Sequence, residues 1–132
     1  MDRKIHIEIL TPYGKYLAME ADYLSVGSAL GVIGILPNHA PLITTILTSK
    51  LSITSEKKTL NYAISGGLLH VKEGTVVTIL ANAIERSDEI DVQRAIDAQL
   101  RAENRLKESG VDVTRARAAL ARALNRINIS KE

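Results

Sequence analysis

The sequence predicts an α+β protein. An N-terminal antiparallel β-sandwich or flattened barrel spans residues 1–86, and a C-terminal antiparallel two-helix hairpin spans residues 87–132. Three observations carry this expectation. Residues 4–10 alternate between apolar and polar with a period of two. Short strand-like runs separated by turn residues then recur up to residue 84, the spacing of an antiparallel sandwich. From Asp88 onward the apolar period lengthens to three or four residues, which is helical.

The first strand is read from Ile5, Ile7 and Ile9 on one face and Lys4, His6 and Glu8 on the other. Thr11-Pro12-Tyr13-Gly14 is a turn. A second strand is expected at about Glu20 to Val26. Gly27, Gly31 and Gly34 then punctuate a tight region that ends in a rigid loop, Gly34 to Leu42. There Pro37 and Pro41 oppose both a helix and a central strand. Five more strands are expected at about 42–47, 50–54, 59–64, 68–72 and 75–81. Their breaks fall at Ser55-Glu56-Lys57-Lys58, Ser65-Gly66-Gly67 and Lys72-Glu73-Gly74.

Ser87 or Asp88 is the expected cap of the first helix, with Asp91 in its first turn. Its apolar stripe is Ala95, Ala98, Ala102 and Leu106, and Ser109-Gly110 ends it. Asp112 or Thr114 starts the second helix, with stripe Val113, Ala116, Leu120, Ala123 and Ile127. So short a connection makes the two helices antiparallel neighbours. Alanine-rich stripes bury little area, roughly 0.8 kcal/mol per methyl at most. The hairpin is therefore expected to dock weakly and to be able to move.

Composition narrows the function. The chain has 132 residues, 45% apolar, with 3% aromatics: four Tyr and neither Phe nor Trp. The core must be aliphatic, and the stacking platforms of single-strand nucleic-acid binders are missing. A net charge of +2 gives no argument for nucleic acid or a membrane surface. With no cysteine there is no disulfide, thiolate zinc site or cysteine nucleophile. His6, His39 and His70 lack ligand spacing, so no metal is expected. Neither an apolar signal region nor an 18-residue apolar run is present, so membrane association is expected only through a partner.

The arginines of the two helices form a pattern. Arg94, Arg101 and Arg105 are spaced by seven and four residues, and so are Arg115, Arg122 and Arg126. At about 100° per residue each set is one stripe, turned in the same sense from its apolar stripe. Antiparallel packing puts both stripes on one side of the hairpin, with Arg94 level with Arg126, Arg101 near Arg122 and Arg105 near Arg115. At roughly 7 Å each such rung repels by about 0.5–2.5 kcal/mol, less in salt. Such a hairpin should close better around an anion. Residues 113–131 add to this, with five basic side chains and no acidic one. The plainer reading is a solvated charged face, with Asp97, Glu103 and Glu108 pairing locally.

Ile90-Asp91-Val92-Gln93-Arg94-Ala95, together with the stretch Gly34 to Leu42 and Ser65-Gly66-Gly67, resembles the epsilon subunit of the bacterial F-type ATP synthase. The likeness runs over essentially the whole chain, and the Ile-Asp-x-x-Arg-Ala motif marks the branch whose members bind ATP. It implies a non-catalytic, regulatory and coupling subunit of the central stalk. The sandwich links the gamma subunit to the c-subunit ring. The hairpin inhibits ATP hydrolysis when extended into the alpha and beta subunits, and bound, unhydrolysed ATP holds it compact. Location would be peripheral, on the cytoplasmic face of the bacterial plasma membrane, through the complex.

Carried onto this chain, the resemblance implies ATP-binding positions at Glu85, Ile90, Asp91, Arg94, Ala95, Arg101, Arg122 and Arg126. Glu85 and Asp91 would face the nucleoside and the arginines the phosphates. The implied c-ring-facing loop contains Val32, Pro37, Asn38 and His39. Val32 stands where relatives often have an acid, and Asn38 where Gly is common. Arg115, Arg122 and Arg126 are the implied inhibitory contacts, meeting acidic surface on beta. ATP would be a regulatory ligand, since the chain has no Walker loop and shows no nucleophile, base and orienter together. Two alternatives stand beside this. One is the same subunit without ATP sensing, and the other is a domain that binds nucleic-acid phosphates through its arginines.

Overall fold

In the computed structural model, residues 4–73, 76–108, 110 and 112–131 are described. Gly74 and Thr75, at the last expected turn and strand start, and Ser109 of the expected helix stop lie outside them.

The alternation of the first strand is realised in β1, Ile5–Thr11, where Ile5, Ile7 and Ile9 are buried to within 2%. β1 pairs antiparallel with β2, Gly14–Ala21. The chain then bends at Asp22 into β3, Tyr23–Ser28. The single strand expected over 20–26 is thus two, because Asp22 leaves the ladder. It takes an ion pair from Lys4 and a 3.0 Å hydrogen bond from the Glu56 amide. β3 turns back into β4, Gly31–Ile35. Ser28 closes this hairpin, with Oγ donating to the Gly31 carbonyl at 2.8 Å and accepting from the Leu30 amide at 3.1 Å.

Two further expectations are corrected. The four strands expected between 42 and 72 are two long ones, β5, Leu42–Ser55, and β6, Lys58–Val71. They pair in one register from Leu42↔Val71 to Ser55↔Lys58. Ser65-Gly66-Gly67 is not a turn but a bend within β6, with φ of 94° at Gly66 and 148° at Gly67. A Cβ at Gly67 would lie 2.0 Å from the Leu80 carbonyl oxygen, so glycine is required there. At this bend β6 changes neighbour, from β8, Ile84–Arg86, to β7, Val76–Ala81.

Hydrogen bonding is continuous in the order β2-β1-β7-β6-β5-β3-β4, with β8 also on β6. The sheet folds over itself into a sandwich, since β5 and β6 each contribute one half to either layer. All pairs are antiparallel except β1 with β7, which is parallel. The core between the layers is aliphatic, built from Leu24, Ile35, Leu51, Ile53, Ile64, Leu69 and Ile79 beside the β1 isoleucines. Its one aromatic pair is Tyr16 edge-on to Tyr62, with centroids 6.3 Å apart.

After β8 a single 3-10 turn, Ser87–Glu89, leads into α1, Val92–Leu106, and then α2, Val113–Ser130. Asp91, and not Ser87 or Asp88, caps α1. Its carboxylate accepts from the Arg94 amide at 3.0 Å. Asp88 is instead held by Arg86, 2.6 Å away. Helix α1 stops at Leu106, earlier than Ser109-Gly110, with Lys107 as its C-cap and Gly110 left-handed in the connection. Asp112 caps α2 in the same way as Asp91 caps α1, accepting from the Arg115 amide at 3.0 Å. The helices pack through Ala95, Ala102, Ala116 and Ala123, all buried. None of the described helices is long and apolar enough to cross a membrane.

Candidate functional site

The hairpin lies folded back on the sandwich, and α2 supplies the contacts with β5 and β6. Three kinds of interaction dock it. Ile129 is buried in a small cluster with Ala63 of β6 and Ile90. Asn125 Nδ2 donates to the Ser49 carbonyl at 2.8 Å. Arg126 Nε meets Glu85 Oε1 and Arg126 Nη2 lies 3.3 Å from Glu85 Oε2, a two-pronged ion pair that is roughly three-quarters buried.

Two clefts open along the hairpin. The proximal cleft, next to the sandwich, has a volume of about 440 Å³. Arg94, Arg122 and Arg126 line it from the helices and Glu85, Ser65 and Ile84 from the sandwich. The distal cleft, also about 440 Å³, is bounded by the helices and the cap of α2: Arg101, Arg105, Arg115 and Arg122 with Asp112. Ala98, Ala119 and Arg122 line both, so the clefts are contiguous. The side chains between the arginines are alanines, which leaves room for a ligand. Volumes of this size are typical of small-molecule sites. Among the described residues, Arg94, Arg101, Arg105, Arg115 and Arg122 form no ion pair. Apart from Arg126, which pairs with Glu85, the stripe arginines therefore line the two clefts without an ion-pair partner among the described residues.

Of the expected ATP positions, Glu85, Arg94, Arg122 and Arg126 line the proximal cleft, and Arg101 lines the distal one. Ile90, Asp91 and Ala95 line neither. Their placement has a local cause. With Asp91 as the cap, Ile90 and Ala95 stand at the N′ and N4 positions, and both are buried, Ile90 against Ala63 and Ile129. Within the motif, Asp91 caps the helix from which Arg94 emerges. Sequence reasoning missed the Glu85–Arg126 pair, the Asn125–Ser49 hydrogen bond and Ile129. The available signal was the period of α2, since Asn125, Arg126 and Ile129 follow Arg122 along its inner face.

Between β8 and α1, the Asp88 carboxyl is held below its usual range by the hydrogen bond from Arg86, and the Arg86 guanidinium is raised by the same bond. Burial raises both Tyr16 and Tyr62, each near Arg86 and Glu89. The other expected surface lies on β4, the last strand in the sheet order, and on the turn that follows it. Val32 is 83% exposed. In the Leu36–His39 turn Asn38 is left-handed at φ 66°, a conformation Asn tolerates. The His39 amide donates to the Leu36 carbonyl at 3.2 Å, and its Nδ1 lies 2.7 Å from the Ala40 carbonyl.

Residues 4–87 match the β-sandwich domain of the ATP synthase delta/epsilon chain, and residues 88–131 match its long α-helix domain. The chain belongs to the ATP synthase epsilon-chain family. It is 40% identical over 133 residues to the ATP synthase epsilon chain of Desulforamulus reducens, covering 99% of this chain and 100% of that one. With the epsilon chain of Desulfitobacterium hafniense strain Y51 it shares 41% over 126 residues, 95% of each. The fold is similar, at TM-score 0.80 and 21% identity, to a chain in the Euglena gracilis mitochondrial ATP synthase structure of OSCP, F1 and c-ring, covering 97% of this chain and 81% of that one. Epsilon chains are non-catalytic subunits of the central stalk, and this chain is one of them.

Proposed function

We propose that this subunit couples and regulates its ATP synthase through the two-state hairpin seen here in its folded position. The sandwich joins the gamma subunit to the c-subunit ring. The exposed Val32 and the Pro37-Asn38-His39 turn face the ring, and Val32 does so by apolar contact. The complex places the subunit peripherally at the cytoplasmic face of the bacterial plasma membrane. Bound ATP, not hydrolysed, favours the folded hairpin. In the extended state Arg115, Arg122 and Arg126 grip acidic surface on beta, between the alpha and beta subunits, and hydrolysis stops.

The observation that carries the ATP reading is the proximal cleft, where Arg94, Arg122 and Arg126 converge from two helices on one volume closed by the sandwich. An anion there is contacted by both helices only while the hairpin is folded, so it binds that state better and shifts the population toward it. One feature favours the alternative without nucleotide sensing. Glu85 already pairs with Arg126, so the folded state has an internal tie that needs no ligand. ATP titration separates the two readings, with Arg94→Ala weakening binding under the first. Asp91→Ser is the suitable companion variant, because serine keeps the helix cap that Asp91→Ala would remove.

A further inference from the structure

The two helices are copies of one another. Asp91–Arg105 and Asp112–Arg126 share Asp, Val, Arg, Ala, Ala, Arg, Ala, Asn and Arg at matching positions, nine of fifteen, with an offset of 21 residues. Both begin with the same cap, an Asp carboxylate on the amide of the Arg three residues on. Antiparallel pairing of two copies gives the hairpin an approximate twofold symmetry. Exchanging the copies turns Arg94, Arg122 and Arg126 of the proximal cleft into Arg115, Arg101 and Arg105. Those three line the distal cleft.

The clefts are thus two versions of one cradle with different surroundings. The proximal cleft has Glu85 and a sandwich wall, and the distal cleft has neither. Arg105, the counterpart of Arg126, meets no carboxylate among the described residues. Four guanidiniums face the distal volume against Asp112, one of whose oxygens accepts from the Arg115 amide. The row from Arg94 to Arg105 is about 16 Å long at the helical rise, which exceeds a triphosphate chain, so one run of phosphates does not cover both ends.

We infer that the distal cleft is a second anion site, which takes a phosphate-class anion without a nucleoside: inorganic phosphate or pyrophosphate. Guanidinium forks suit such oxyanions, and the cleft has no sandwich wall to recognise a base. Its occupant ties α1 to α2 at the turn end and opposes their separation. The site stands whether or not the proximal cleft takes ATP.

The test uses the full chain carrying Arg94→Ala, which weakens the proximal cradle and leaves every distal residue in place. Pyrophosphate is titrated by calorimetry at constant ionic strength set with chloride. The expected result is one saturable site, weakened at least tenfold on adding Arg105→Ala and by less on adding Arg105→Lys. Arg105 is exposed, so these variants fold, and circular dichroism checks that helix content is kept. ATP affinity of the single Arg105→Ala variant stays within twofold of the parent chain. Absence of saturable pyrophosphate binding, or binding unmoved by Arg105→Ala, overturns the inference. Absence of ATP binding in every chain, with the pyrophosphate result intact, would count against the ATP reading alone.

Discussion

Arg126 of α2 reaches Glu85 at the end of the sandwich, 41 residues away in sequence, and their ion pair forms part of the proximal cleft wall. The tie that docks the hairpin and the candidate anion site therefore share an arginine. An anion bound in the cleft would be coupled to docking at that side chain.

Replacing Glu85 with Gln removes one partner of a pair that is only about a quarter exposed. The expected cost to docking is about 1–3 kcal/mol. Hydrogen exchange reads it directly, since amides of α2 should exchange faster while those of β1 and β7 keep their protection. Unchanged protection in α2 would mean that the pair does not hold the hairpin down.

The internal repeat supplies a matched control for the second docking contact. Asn125 donates to Ser49, whereas its counterpart Asn104 is exposed on α1. Asn125→Ala should cost about 0.5–1.5 kcal/mol. Asn104→Ala should stay within about 0.5 kcal/mol of the parent. Denaturant midpoints of the two variants check the difference.

Gly67→Ala should disrupt the sandwich. The added methyl meets the Leu80 carbonyl at 2.0 Å, at a backbone angle that L side chains rarely adopt. A loss of more than about 3 kcal/mol is expected, seen as lower thermal stability with reduced strand signal. Gly110 also has a positive φ, 82°, but open space around it, so Gly110→Ala should be milder.

These contrasts also show what was legible before the fold was known. The isoleucines of β1 and the cap at Asp112 could be read because their signals are local: an alternation of two, and an acid before a helical period. The arginine stripes followed from helix geometry alone. The bend at Ser65-Gly66-Gly67 could not be told from a turn, since glycine permits both and the difference lies in Leu80 and Ala81 packing behind it. Asp88 and Asp91 are equally good caps by type, and only the competing partner, Arg86, decided between them. The Glu85–Arg126 pair is a product of docking, and neither residue's local sequence encodes the other.

Acid should loosen the contact between the strand-edge residues Lys4 and Asp22. The Asp22 carboxyl is held below its usual range first by the hydrogen bond from Lys4, then by the Glu56 amide. A depressed folded value means that the contribution is present above the unfolded value, about 3.9, and is lost as pH falls through the folded one. Asp22→Asn should therefore flatten the fall in stability below about pH 4 and lower stability at neutral pH. Urea midpoints measured from pH 2 to 7 check both parts.

The central claim, that bound ATP favours the folded hairpin, is met most directly by titrating ATP into the full chain by calorimetry, with Arg94→Ala beside it. The account predicts saturable one-to-one binding in the parent chain, weakened at least tenfold by Arg94→Ala. Equal affinity in the two chains, or no binding in the parent, would contradict it and leave the Glu85–Arg126 pair as the tie that keeps the hairpin down.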